Sequence, residues 1–200
     1  MKYELNNLNL VTIFSDNGKH LIKVNELTSL FPNQIPSVVW QLDPLSPGII
    51  NYQTMGLEIV VVDNRLQIQS TAINGDIPFY FSDTLQTVLQ AARERSIIAY
   101  GFNFHFTCSE MKEVKGLFNI TVKTNSFIYQ PNTFLRLTFK KNENLFLLEV
   151  SDGKPFSMLH INVHHDEKFL LADLAKDIHL KLKEDLENAK QLISEVFNIG

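Results

Sequence analysis

The densest group of chemically able side chains is His160, His164 and His165, followed directly by Asp166 and Glu167. Imidazoles and carboxylates are ordinary ligands for a divalent metal and ordinary proton donors and acceptors in hydrolysis. On a strand, His160 and His164 share a face but stand about 13 Å apart, at roughly 3.3 Å per residue. One metal ion cannot bridge that span without a bend, because Zn–N distances are about 2 Å. His164 and Asp166 can converge at a strand-to-helix junction, and His105 joins them if its strand is a neighbour. A metal-dependent hydrolase using His105, His160, His164 and Asp166 is therefore one expectation. The plainer one is a solvated strand face that ends in a helix cap.

Cys108 is the single cysteine. A nucleophilic thiol needs a base or a positive environment. His105, three residues away on a strand, points to the opposite face, so a buried inert thiol is the expectation. One cysteine excludes an internal disulfide framework and suits a reducing compartment. The chain lacks G-x-G-x-x-G, G-K-[ST], G-x-S-x-G, H-E-x-x-H, C-x-x-C and the EF-hand loop. Those absences favour a non-enzymatic protein without a cofactor, although catalytic groups can also converge from distant positions.

The elements that must carry these residues follow from periodicity. Residues 3–14 suggest one strand, and Asp16-Asn17-Gly18 a turn. Residues 24–30 can hold two helical turns that stop at Pro32. Pro36, Pro44, Pro47 and Gly48 punctuate a loop-rich stretch around Trp40, expected as an arm, a cap over the sheet or an interface loop. Leu57–Val62 and Arg65–Ser70 flank Asp63-Asn64, a two-residue hairpin loop. That loop length sets Val61 against Leu66 and Ile59 against Ile68 on an apolar face, with Val60 against Gln67 and Glu58 against Gln69 on the other.

Ser82 or Asp83 can cap a helix over 83–95, with Leu85, Val88, Leu89 and Ala92 on one face. Strand 97–108 follows, with Tyr100, Phe102, Phe104 and Phe106 pointing one way. After a polar break at 109–116, residues 117–123 form a further strand. Strands 133–140 and 145–150 pair Phe139 with Phe146, Leu137 with Leu148, Leu135 with Val150, and Arg136 with Glu149 as a cross-strand charge pair. A turn at 151–154 leads to strand 156–164, completing a meander. Asp166 can cap a last helix over 168–197, whose Leu171, Leu174, Ile178, Leu182, Ala189, Ile193 and Val196 form an apolar stripe widened by Leu186 and Leu192. At about 30 residues it would span roughly 45 Å. Such a helix either projects or docks on another chain, through Leu182, Leu186, Ile193, Val196 and Phe197.

Leu135-Arg136-Leu137-Thr138, together with the run from Phe146 to Ser157, is similar to a strand pair of the SecB chaperone family. The similarity covers about a tenth of the chain. The segment after it enters a long helix without that family's intervening sequence, and the first half of the chain has no counterpart. The resemblance implies a sheet that binds apolar segments of other proteins. A long helix after a meander also resembles helix-grip folds in outline, which can leave an apolar cavity.

Composition sets the outer limits. The chain has 200 residues, 44% of them hydrophobic, and 15 of its 21 aromatics are Phe. A net charge of −4 gives no electrostatic footprint for nucleic acid, and strand 97–108 has no Lys or Arg beside its aromatics. The first seven residues lack a secretory pattern, no window reaches the roughly 18 apolar residues of a membrane span, and the last five carry no lipidation box. A cytoplasmic location without membrane insertion is the expectation.

These readings give a single α+β domain. Its antiparallel sheet has about six to eight strands, with helices on one face. Residues 1–56 are loop-rich, 57–165 hold the main sheet with helix 83–95, and 168–197 are the long helix. The leading functional expectation is an interaction, assembly or adaptor protein that docks or dimerises through the C-terminal helix. A carrier of an apolar ligand, or a chaperone-like binder of apolar segments between sheet and helix, comes second. The metal-dependent hydrolase comes third.

Overall fold

Period-two alternation of apolar side chains runs through nearly every strand, and it assembles them into one antiparallel sheet with a single core face. The computed structural model describes residues 2–15, 27–39, 48–62, 64–71, 73, 77, 80–109, 134–151 and 157–197. Its strands are β1 (Lys2–Phe14), β2 (Ser37–Val39), β3 (Gly48–Tyr52), β4 (Leu57–Val62), β5 (Arg65–Ser70), β6 (Ser96–Ser109), β7 (Phe134–Lys141), β8 (Asn144–Ser151), β9 (Ser157–His165) and β10 (Phe169–Leu170). The helices are α1 (Phe81–Ala91) and α2 (Leu171–Phe197). The strands lie in the order β2-β3-β4-β5-β1-β6-β9-β8-β7, with β10 pairing β6. Two meanders, β2–β5 and β7–β9, thus flank the long central pair β1 and β6.

The α+β class is as expected, while ten strands exceed the six to eight expected. The strand expected over 3–14 is β1, which lies in the middle of the sheet. The strands that were not expected are β2 and β3, in and beside the Pro-rich stretch expected as an arm, a cap or an interface loop, and the two-residue β10. Proline and glycine punctuation hid the first two, and the third is too short to show alternation. The turn at 16–18, residues 24–26, Trp40 with Pro44 and Pro47, the strand at 117–123, most of the break before it, and most of the turn at 151–154 lie outside the described residues.

Hairpin registers follow the loop arithmetic. Val61 pairs Leu66, Ile59 pairs Ile68, Val60 pairs Gln67 and Glu58 pairs Gln69. Phe139 pairs Phe146, Leu137 pairs Leu148, Leu135 pairs Val150 and Arg136 pairs Glu149. In the second hairpin the strands run one pair further, to Lys141 opposite Asn144. The connection is therefore shorter than the four residues expected, and Asn142 takes a left-handed φ of 56°, which Asn tolerates better than most residues.

Both helices begin differently from expectation. α1 starts at Phe81, so Ser82 and Asp83 fall inside its first turn, and Tyr80 is the N-cap without a side-chain hydrogen bond. Asp83 there meets the positive end of the helix dipole. α1 ends at Ala91, earlier than expected. The carbonyls of Arg93 and Arg95 just beyond it accept hydrogen bonds from the backbone of Ala172 and Leu171, tying the two helices together. Asp166 does not cap the last helix. Residues 169–170 are extended as β10 against Ile97 and Ser96, and α2 starts only at Leu171.

α2 has 27 residues, about 40 Å of helix. Its stripe is covered by the chain itself: Leu171, Leu174, Ala175, Ile178, Leu182, Ala189, Ile193 and Phe197 are all buried. They share one core with Leu5, Leu8 and Leu10 of β1, the Phe102–Phe104–Phe106 row of β6 and Leu159, Ile161 and Val163 of β9. On the opposite sheet face, β6 and β9 approach closely at Gly101. A Cβ built there would lie 2.8 Å from the Val163 carbonyl oxygen and 3.2 Å from Asn162 Nδ2, so the contact requires glycine.

Candidate functional site

Three places on this frame collect functional side chains. The first is the solvent face of β1, β6, β9 and β8, where polar residues alternate with the core rows. Here β6 and β9 are neighbours, and His105 stands directly opposite His160. Their rings stack at 4.4 Å with 6° between planes. His160 Nδ1 meets Glu149 Oε2 at 2.7 Å and its Nε2 meets Asn103 Oδ1 at 2.9 Å. Both ring nitrogens are thus engaged by oxygen atoms of neighbouring strands. Asn103 Oδ1 also accepts from Asn162 Nδ2 at 2.9 Å, and Asn103 Nδ2 donates to Asn9 Oδ1 at 2.8 Å. Arg136 completes the row from β7, with Nε 3.4 Å from Glu149 Oε1. The result is a hydrogen-bonded belt that stitches five strands on the face away from the core.

The four metal candidates fall into two pairs. His105 lies with His160, whereas His164 pairs with Asp166 at 2.9 Å, with side chains 32% and 75% exposed. The pairs are separated by the roughly 13 Å between His160 and His164 along β9. Among the described residues, no three His, Cys, Asp or Glu side chains gather as a metal site requires. Cys108 is buried, and burial pushes its thiol up to about 11, away from the nucleophilic thiolate.

His105 adjoins the belt, half-buried against the His160 ring. Burial first, then the neighbouring His160, push its pKa down to about 4, with Glu149 opposing them. The sign follows from linkage: between about pH 6.5 and 4 the unfolded chain takes up a proton that the fold refuses, so stability falls with acidification. We expect His105→Gln to flatten this limb. From pH 7 to 4, the wild type should lose roughly 1–2 kcal/mol more than the variant, after allowance for solvent screening of a partly exposed ring. Urea midpoints across that range check it, and parallel curves would refute it.

The second place is internal. His165 points from β9 into the core face, where its Nε2 meets Asp185 Oδ2 of α2 at 2.7 Å. Both residues are buried. The His165 ring lies flat on Tyr100, at 4.4 Å and 3°. Lys181 donates to the Tyr100 hydroxyl at 3.1 Å and sits 5.4 Å above that ring. Burial raises the Asp185 pKa, and the hydrogen bond and charge of His165 oppose the rise. Burial likewise raises Tyr100, reinforced by the carboxylates of Glu167, Asp185 and Glu184. These contacts tie β9 and β6 to α2, as a clasp between sheet and helix. Sequence reasoning missed Asp185. The available signal was its place in the apolar stripe, three residues after Leu182 and four before Ala189.

The third place is the β2 end of the sheet. Leu30, Phe31, Pro32, Asn33, Gln34, Thr54, Met55 and Tyr80 line a groove of about 390 Å³. Phe31 packs edge-on to Tyr52, whose hydroxyl donates to the Leu27 carbonyl at 2.6 Å. The Thr54 hydroxyl bonds the Gln34 side-chain oxygen, and Tyr80 Oη donates to the Met55 carbonyl at 3.3 Å, which fixes the rim. Ile35, which follows Gln34 of the lining, is 95% exposed, Val39 on β2 is 61% exposed, and Tyr80 within the groove is 43% exposed.

No known family model matches the chain, and no curated protein matches it in sequence. Its own geometry must therefore carry the functional reading. The residues expected at an interface, Leu182, Ile193 and Phe197, are buried in the chain's core, and Leu186 and Val196 pack at its margin. Exposed large apolar side chains among the described residues include Ile35, Val39 and Tyr80 at or near the β2 end, besides Ile98, Leu145, Met158, Leu170 and Leu180 on other elements. Among the described residues, no helix is long and apolar enough to cross a membrane.

Proposed function

We propose that the chain is a non-enzymatic interaction protein that holds an extended apolar segment of another protein at the β2 end of its sheet. One observation carries this reading: Tyr80 exposes its ring within the groove formed by 30–34, Thr54 and Met55, Ile35 is exposed directly after Gln34 of its lining, and Val39 is exposed on the adjoining strand β2. Large apolar residues grouped at a concave rim, unlike scattered ones, mark a surface that gains by being covered. β2 is also the terminal strand of the sheet on that side among the described residues. An extended segment can hydrogen-bond to such an edge and seat alternate side chains in an adjoining groove. The belt of the polar face and the clasp under α2 then serve to hold a wide sheet in shape.

Fluorescence anisotropy with a labelled ten-residue peptide rich in Leu, Val and Phe tests the reading. Ile35→Asp combined with Val39→Asp should weaken binding at least tenfold, about 1.4 kcal/mol, with little change in Tm because both positions are exposed. Unchanged affinity in the double variant, or no binding by the wild type, would reject it. The groove volume also suits a small apolar molecule. In that case a compound found by native mass spectrometry would compete with the peptide and bind without involving Val39.

A further inference from the structure

β7 closes the sheet on the side away from β2, and among the described residues no strand pairs with its outer edge. Its eight residues include Arg136, Lys140 and Lys141 and no acid. Leu135, Leu137 and Phe139 are half-buried at the margin of the core, while Arg136, Thr138 and Lys140 are exposed on the other face. Lys141 is committed to α2, donating to Asn188 Oδ1 at 2.8 Å and Gln191 Oε1 at 2.9 Å. Arg136 and Lys140 are held more loosely. Each meets one carboxylate at 3.4 Å, from Glu149 and Glu143, and their side chains remain 61% and 59% exposed.

This pattern selects its occupant. A second copy pairing antiparallel about Thr138 would set Arg136 against the copy's Lys140, a like-charge contact that destabilises a strand pair. A strand carrying carboxylates at alternate positions would meet both cations. Its intervening apolar side chains would extend the core row beyond Leu135, Leu137 and Phe139. We infer that β7 is a docking edge for an added strand from another protein in which apolar and acidic residues alternate. The inference is independent of the β2 reading. If both hold, the chain bridges two segments roughly 40 Å apart, at about 4.8 Å per strand.

The test uses the full chain and two labelled eight-residue peptides, one alternating Glu with Val and Ile, the other with Lys in place of Glu. The Glu peptide should bind at least tenfold tighter, with affinity falling as salt rises. Arg136→Glu with Lys140→Glu should invert the preference, while Ile35→Asp with Val39→Asp should leave it unchanged. Equal affinity for the two peptides, binding of neither, or loss of binding only in the β2-end variant would overturn the inference. Full protection of every β7 amide from hydrogen exchange in the free protein would also overturn it.

Discussion

Asp185→Ala is expected to lower the unfolding free energy by about 3–5 kcal/mol, because it leaves His165 without its partner in a site closed to water. Asp185 is 2% exposed and His165 5% exposed, so solvent cannot replace the lost 2.7 Å contact. The pair also fixes α2 against the sheet. A slip of the helix by one turn would carry the carboxylate away from the imidazole and bury it alone. The energetic role is therefore one of specificity more than net gain. Replacing both partners with apolar residues, His165→Phe with Asp185→Leu, should recover most of the loss, since removing both halves of a buried hydrogen-bonded pair leaves neither without a partner. Urea unfolding of the two variants separates the effects. A single variant within 1 kcal/mol of wild type would show that the clasp does not hold the helix.

Phe104→Ala is expected to destabilise by a similar amount, about 3–5 kcal/mol, through lost burial and the cavity left behind. Phe104 sits on β6 between Leu8 of β1 and Ile161 of β9, flanked along its strand by Phe102 and Phe106 at 6.1 and 6.5 Å. Rows on both sides are fully buried, so the site cannot collapse. Phe139→Ala offers the contrast: that ring is half-buried on the terminal strand β7, where neighbours and solvent can close the gap. It should lose less than half as much. Equal losses at the two positions would contradict a core centred on β1, β6 and β9.

The phenylalanines show what can be read from residues alone. Alternation on β6 put Phe102, Phe104 and Phe106 on one face, and loop length put Phe139 opposite Phe146, because side-chain direction and hairpin register are local properties. The position of β1 between β5 and β6 is a long-range pairing, and no local pattern encodes it. The start of α2 was misplaced because residues 169–170 gain more by pairing with Ile97 and Ser96 than by extending the helix. At the candidate sites, sequence spacing brought out the histidines but not their partners. Whether His105 met His160 depended on β6 and β9 being neighbours, and Asn103, Asn162 and Asn9 looked like ordinary solvated positions. The β2 groove was the least legible. It gathers Phe31, Met55 and Tyr80 from segments that share no periodicity.

The claim that the chain holds an extended apolar segment at the β2 end is tested most directly by NMR. The protein is titrated with the Leu-, Val- and Phe-rich peptide, and amide and methyl shifts are followed. Saturable shifts are expected, concentrated on Leu30–Val39, Thr54, Met55 and Tyr80, with α2 and the β6–β9 core unmoved. Shifts centred on the α2 stripe at Leu182, Ile193 and Phe197, or no shifts at saturating peptide, would contradict it.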